Sequence, residues 1–237
     1  MTTIRIWAVE SDYDAKAVER LATKLAEHLQ LRNLSIQVSG KQALAHRQLD
    51  KATRNYLKEA ACVIFVIDQD SPMFLHQRRQ QPNSLINQVE QLVNDSSLDG
   101  RVFLVFAIQE LEAWLLIDCL GIFCYFASQR GRYRNNCRDR VSENKDFARM
   151  IDSEQKGDTE KIVEPESGGK GAKEYLERFS ERILLKLNPN RRRKNVENER
   201  YREAMSPMMA EHVVIDRETL KWNNSLRYFG EVLAHFK

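Results

Sequence analysis

Two stretches of this chain, "CVIFVID" (62–68) and "RVFLVFAI" (101–108), are apolar at nearly every position. A strand with one wet face alternates apolar and polar residues, so an unbroken run of this length is the pattern of a strand covered on both faces, as in a parallel sheet. Parallel neighbours need long crossovers, and helical spacing does follow each run. "TIRIWAV" (3–9) and "LSIQV" (34–38) supply two more strands.

Between the strands, Val18, Leu21, Leu25 and Leu29 recur at three- and four-residue spacing and predict a helix from Asp14 to Gln30. Further helices are expected over 43–60, 84–95 and 109–120. Strand and helix thus alternate four times, which predicts an α/β fold: an open, mostly parallel sheet flanked by helices, with right-handed crossovers. Residues 1–127 form this expected α/β domain, and 128–169, polar and containing "EPESGGKG", read as a charged insertion or linker. Residues 170–237 read as a helical region packing on the first domain, with Leu176, Phe179, Ile183 and Leu187 as one apolar stripe.

The chain has 237 residues, 42% of them hydrophobic and 30% charged, which is enough to bury a full core and excludes a disordered or fibrous class. The formal charge of +3 is mild, yet cations cluster. Arg130, Arg132, Arg134 and Arg138 lie in "RGRYRNNCRDR", and Arg191, Arg192 and Arg193 in "RRRK". Each cluster reads either as a solvated loop or as a set of phosphate contacts. Cys62, Cys119, Cys124 and Cys137 form no CxxC pair, so neither a zinc site nor a disulfide framework is expected, and reduced cysteines fit a cytoplasmic protein. The longest apolar run, "AWLLIDCLGIFCYFA" (113–127), is broken by Asp118 and falls short of a membrane span, and the N-terminus lacks a signal peptide's apolar segment.

Acids fall where such a sheet binds ligands, beyond the carboxyl ends of its strands. Glu10 follows the first strand, Asp68 and Asp70 end the third, and Glu110 and Glu112 follow the fourth. Clustered carboxylates that stay ionised need a counter-cation, and no Lys or Arg adjoins these strand ends in sequence. Oxygen-only donors suit Mg²⁺ or Mn²⁺. The plainer reading is that each acid merely caps the helix that follows.

These residues carry a resemblance. "VESDYD" (9–14) and "VIDQD" (66–70) are similar, in order, to the two signatures of the Toprim domain, the catalytic module of topoisomerases, bacterial primases and the OLD nucleases. "AIQELEAWLLID" (107–118) resembles the Arg-Glu-Leu-Glu-Ala-Trp-Leu-Leu string of a small bacterial Toprim-like family, and "VVIDRETLKWNNSLRYFGEVL" (213–233) resembles the way those proteins end. Ser11 stands where the family has Gly, and Gln109 where it commonly has Arg.

The resemblance implies a Mg²⁺- or Mn²⁺-dependent nuclease acting on DNA or RNA. Glu10 would be general base or metal ligand, Asp68 and Asp70 would hold the metal, Asp14 would complete a second site, and Glu110 or Glu112 would add a ligand. Lys170 or Lys173 in "GGKGAK" would supply a cation near the phosphate, or else belong to a plain loop leading into a helix. The resemblance also implies anti-phage defence beside an ATPase of the ABC or SMC-like type. The chain has no Walker A string, so ATP use would fall to that partner. Self-association is compatible with the sequence, and no membrane partner is expected. The alternative is a non-catalytic Toprim-fold module that keeps its acids and serves as a nucleic-acid-binding or sensor subunit.

Overall fold

A computed structural model describes residues 1–8, 11–40, 48–69, 72–129, 131, 136–155, 157–162, 171–190, 192 and 195–237. Its centre is a four-stranded, all-parallel sheet of β1 (Thr2–Ala8), β2 (Leu34–Ser39), β3 (Cys62–Gln69) and β4 (Val102–Ile108), in the order β2-β1-β3-β4.

The unbroken apolar runs have a direct explanation in the pleat. In β3, Cys62, Ile64 and Val66 enter one core and Val63, Phe65 and Ile67 enter another, because successive side chains leave opposite faces. The first face is covered by α1 (Asp12–His28), which lays Ala15, Val18, Leu21, Ala22 and Leu25 on it. The second is covered by α2 (Leu49–Tyr56) and α4 (Leu85–Val93), through Leu49, Ile86, Val89 and Leu92. Between β3 and α4 lies α3 (Pro72–Gln80). The edge strand β2 is apolar on one side only: Leu34, Ile36 and Val38 meet the first core, and Ser35, Gln37 and Ser39 alternate with them.

The helix expected over 109–120 is two helices, α5 (Glu110–Leu115) and α6 (Cys119–Ser128). Asp118 makes the break, since its carboxylate caps α6 by accepting the Gly121 N–H at 3.0 Å. Gly121 is needed there: a Cβ would come within 2.6 Å of the His212 carbonyl oxygen. Buried on all sides, α6 accounts for the length of the apolar run at 113–127. No helix among the described residues is long and apolar enough to cross a membrane.

Two expectations need correction. Within the stretch read as a charged insertion or linker, α7 (Cys137–Glu143) and α8 (Lys145–Glu154) bury Val141, Phe147, Met150 and Ile151 in the first core. Their polarity is that of amphipathic surface helices, whose apolar positions are few but regularly spaced. Second, Cys124 and Cys137 form a disulfide across α6 and α7, with Cα atoms 5.7 Å apart, so the cysteines are not all reduced. A pair joined by a tertiary turn leaves no short-spacing signature. Cys62 and Cys119 are free and buried, and burial pushes the Cys62 thiol up to about 12.

The C-terminal region packs on the same core. α9 (Ala172–Leu187) matches the expected stripe, since Leu176, Phe179, Ile183 and Leu187 are all buried. It is followed by α10 (Ser206–His212), α11 (Arg217–Leu220) and α12 (Asn224–Ala234). Phe229 and Leu233 of α12 lie in the first core with Trp114 of α5.

Candidate functional site

In a doubly wound sheet the binding crevice opens where chain connections depart in opposite directions from neighbouring strands. Here that point lies between β1 and β3, paired through Ala8 and Val66, because β2 extends the sheet on one side and β4 on the other. Asp68 stands at the carboxyl end of β3, opposite Ala107 of β4. Glu10 and Asp70 follow β1 and β3 by one or two positions in sequence but lie outside the described residues.

At the start of α1, Ser11 is the N-cap. Its hydroxyl accepts the Asp14 N–H at 3.1 Å and donates to the Asp14 carboxylate at 2.7 Å. Its backbone is extended, with φ −146°, so the position makes no demand for glycine and serine brings no backbone strain.

The β4 to α5 junction is different. Gln109 and Glu110 have φ of +62° and +70°, two consecutive left-handed residues that are not glycine. Each such residue costs on the order of 1 kcal/mol, and strain of this kind persists only where its surroundings hold it. The Gln109 N–H donates to the Gln69 carbonyl at 3.0 Å, tying the junction to the end of β3. Glu110 then turns to α9, where its carboxylate accepts the Lys173 N–H at 3.2 Å. Gly171, the N-cap of α9, has no side chain to do this.

Glu110 and Glu112 therefore have different roles. Glu112 is buried, and its carboxylate accepts from the Tyr201 hydroxyl at 2.7 Å, which in turn lies 2.6 Å from the Ser206 hydroxyl. Burial raises the Glu112 pKa above the usual carboxylate range. Burial and the neighbouring Glu112 charge raise the Tyr201 phenol well above its ordinary value. Glu112 thus belongs to an interior polar chain linking α5 to α10.

Lys173 reaches this group from far along the chain. Its ammonium lies 3.7 Å from the Glu203 carboxylate. Partial burial acts to lower its pKa, but the charges of Glu112, Glu203, Glu110 and Asp14 outweigh that and raise it. The expectation that the acids have no nearby cation holds only along the sequence; folding supplies one. The sequence singles out Lys173 and, separately, Asp14, Glu110 and Glu112, but not their proximity, because the contact spans 63 residues to Glu110.

Of the expected phosphate-contacting arginines, Arg138 is otherwise engaged. Its guanidinium pairs with the buried Asp118 and donates to the His212 carbonyl at 2.9 Å, joining α7 to α6 and the end of α10. Arg192 is exposed. Arg130, Arg132, Arg134, Lys170, Arg191 and Arg193 lie outside the described residues.

Among the described residues no three of Asp, Glu, His and Cys are grouped to hold a metal ion. Asp14, Asp68 and Glu110 are hard oxygen donors of the kind a Mg²⁺ ion takes, whereas Glu112, raised in pKa and bonded to Tyr201, is not. Comparison with family models, with curated proteins and with solved structures finds no match to this chain.

Proposed function

We propose that the chain is a Mg²⁺- or Mn²⁺-dependent phosphodiesterase that hydrolyses DNA or RNA at the carboxyl edge of β1 and β3. The observation that carries this reading is the strand order. It makes the two strands that lead into Glu10 and into Asp68 and Asp70 immediate neighbours, and it sets the sheet's switch point between them. The two short signatures of the Toprim resemblance therefore leave the sheet side by side.

In this reading Glu10, Asp68 and Asp70 hold the metal, with Asp14 and Glu110 at its margin. A divalent ion there stabilises the charge developing on a phosphodiester and activates water. Lys173, held by acids at the start of α9, offers a cation to a substrate phosphate. Glu112 and Tyr201 act as positioning residues that fix α5 against the C-terminal helices. Work as a defence effector beside an ATPase belongs to the same proposal, on the resemblance alone.

One observation favours a second reading, a non-catalytic nucleic-acid-binding or sensor module: Lys173 already supplies part of the acids' counter-charge. Incubating labelled single-stranded DNA, duplex DNA, plasmid and total tRNA with Mn²⁺ separates the two. Cutting by wild type that is lost in both Glu10→Ala and Asp70→Ala supports the enzyme. No cutting of any substrate, with or without a co-encoded ATPase, supports the module.

A further inference from the structure

The face of α9 turned from the core carries cations at a regular interval: Arg178, Arg182 and Lys186 are all exposed and four residues apart. On an α-helix that spacing stacks side chains in one row, with about 6 Å of rise between them. Beside the row, α8 and α9 bound an open groove of about 650 Å³. Arg149, also exposed, lines it with Arg182 and Lys186 over a floor that includes Met150, Leu185 and Pro189.

Acids are interleaved with these cations: Glu174, Glu177 and Glu181 of the same helix are half-buried, with Glu174 at the row's next position toward the start of α9. Asp146 lies 3.8 Å from the Lys186 ammonium, and Glu154 pairs with Arg182. The Lys186–Asp146 pair is exposed on both sides and contributes little, so Lys186 exchanges readily for a phosphate. Arg182 stays 53% exposed beside a Glu154 carboxylate that is itself nearly buried. The row also has a direction. α9 begins at the acids, with Lys173, and runs about 24 Å to its far end at the groove.

We propose that Arg178, Arg182 and Lys186, with Arg149 across the groove, form a track that binds the backbone of a single nucleic-acid strand and leads it to the edge of the sheet at Lys173. The track rests on the proposed phosphodiesterase reading for what happens at its end, but not for binding itself. Contacts from such a row go to phosphates, so it holds a strand without regard to base sequence.

The test is fluorescence anisotropy of a labelled single-stranded oligonucleotide of mixed sequence, in EDTA so that no metal chemistry intervenes. Arg178→Glu/Lys186→Glu removes two exposed cations while leaving the Arg182–Glu154 pair in place, and a thermal melt verifies its fold. We expect it to bind at least about tenfold more weakly than wild type, with a salt dependence shallower by about 0.7 per lost contact. Lys51→Glu on α2, which packs against the opposite face of the sheet, makes a single charge reversal and should leave affinity nearly unchanged. Wild-type affinity and salt slope in the double variant would overturn the track, as would a wild type that binds no oligonucleotide. Binding through the row without any cleavage would instead sink the hydrolysis reading and keep this one.

Discussion

The indole N–H of Trp114 donates a 2.8 Å hydrogen bond to the Ser225 hydroxyl, joining α5 to the first turn of α12 across 111 residues of sequence. Both residues are buried, and Trp114 also stacks on Phe229 with ring centroids 5.5 Å apart. The same Ser225 oxygen accepts the Ile108 N–H at the end of β4 and donates to Asn223, whose amide reaches Thr159. The segments 107–118 and 213–233 thus meet in one interior contact.

Ser225→Ala should leave the Trp114 indole without its acceptor. An unsatisfied buried donor costs about 1–3 kcal/mol, which urea denaturation would read as a lower midpoint at unchanged slope. A midpoint equal to wild type would show that the hydroxyl is not what joins these segments.

Arg138→Ala should destabilise the fold without weakening nucleic-acid binding. Removing one partner of a fully buried pair costs roughly 3–5 kcal/mol. Because the Arg138 side chain is 37% exposed, on the order of 2 kcal/mol is the discounted expectation. Weaker oligonucleotide binding at unchanged stability would return Arg138 to the phosphate-contacting role read from its sequence cluster.

Opening the Cys124–Cys137 disulfide should lower stability as well. A closed loop of 13 residues corresponds to about 3 kcal/mol in the chain-entropy view, so Cys137→Ser and dithiothreitol-treated wild type should melt at similarly reduced temperatures. Free-thiol counting on the unfolded protein gives two reactive cysteines if the disulfide is present and four if it is not.

Glu112 supplies a pH test. Its folded-state pKa is raised, so the fold holds its proton more tightly than the unfolded chain does. This contribution is fully present below the ordinary glutamate value of about 4.3 and is lost as pH rises through the raised folded value. Glu112→Gln keeps an acceptor for Tyr201 and cannot ionise. Its melting temperature relative to wild type should therefore climb over that rise in pH, and a difference independent of pH would contradict the assignment.

The sheet was legible because β3 and β4 are short runs, apolar at nearly every position, that alternate with segments of helical spacing. α9 was legible from one stripe of four large side chains. α7 and α8 were not, since a helix that buries only one residue, as α7 does, or three, as α8 does, reads locally as a polar linker. The position of Asp68 at the end of a strand was legible from the apolar run before it. What stayed hidden was contact over distance: Lys173 against Glu110, Tyr201 against Glu112, and Cys124 against Cys137. Each pair lies on elements whose approach is decided by packing, and nothing in local spacing encodes that.

The central claim is that the edge of β1 and β3 binds a divalent cation through the acids that follow those strands. The most direct measurement is the melting temperature of wild type, Glu10→Gln and Asp68→Asn, each with EDTA and with rising Mn²⁺ or Mg²⁺. A ligand that binds only the folded state stabilises by about 2.7 kcal/mol at one hundred times its dissociation constant. We expect a saturable rise in wild type that is absent from both variants. A wild type indifferent to both metals, or variants that respond as wild type does, would contradict the metal site.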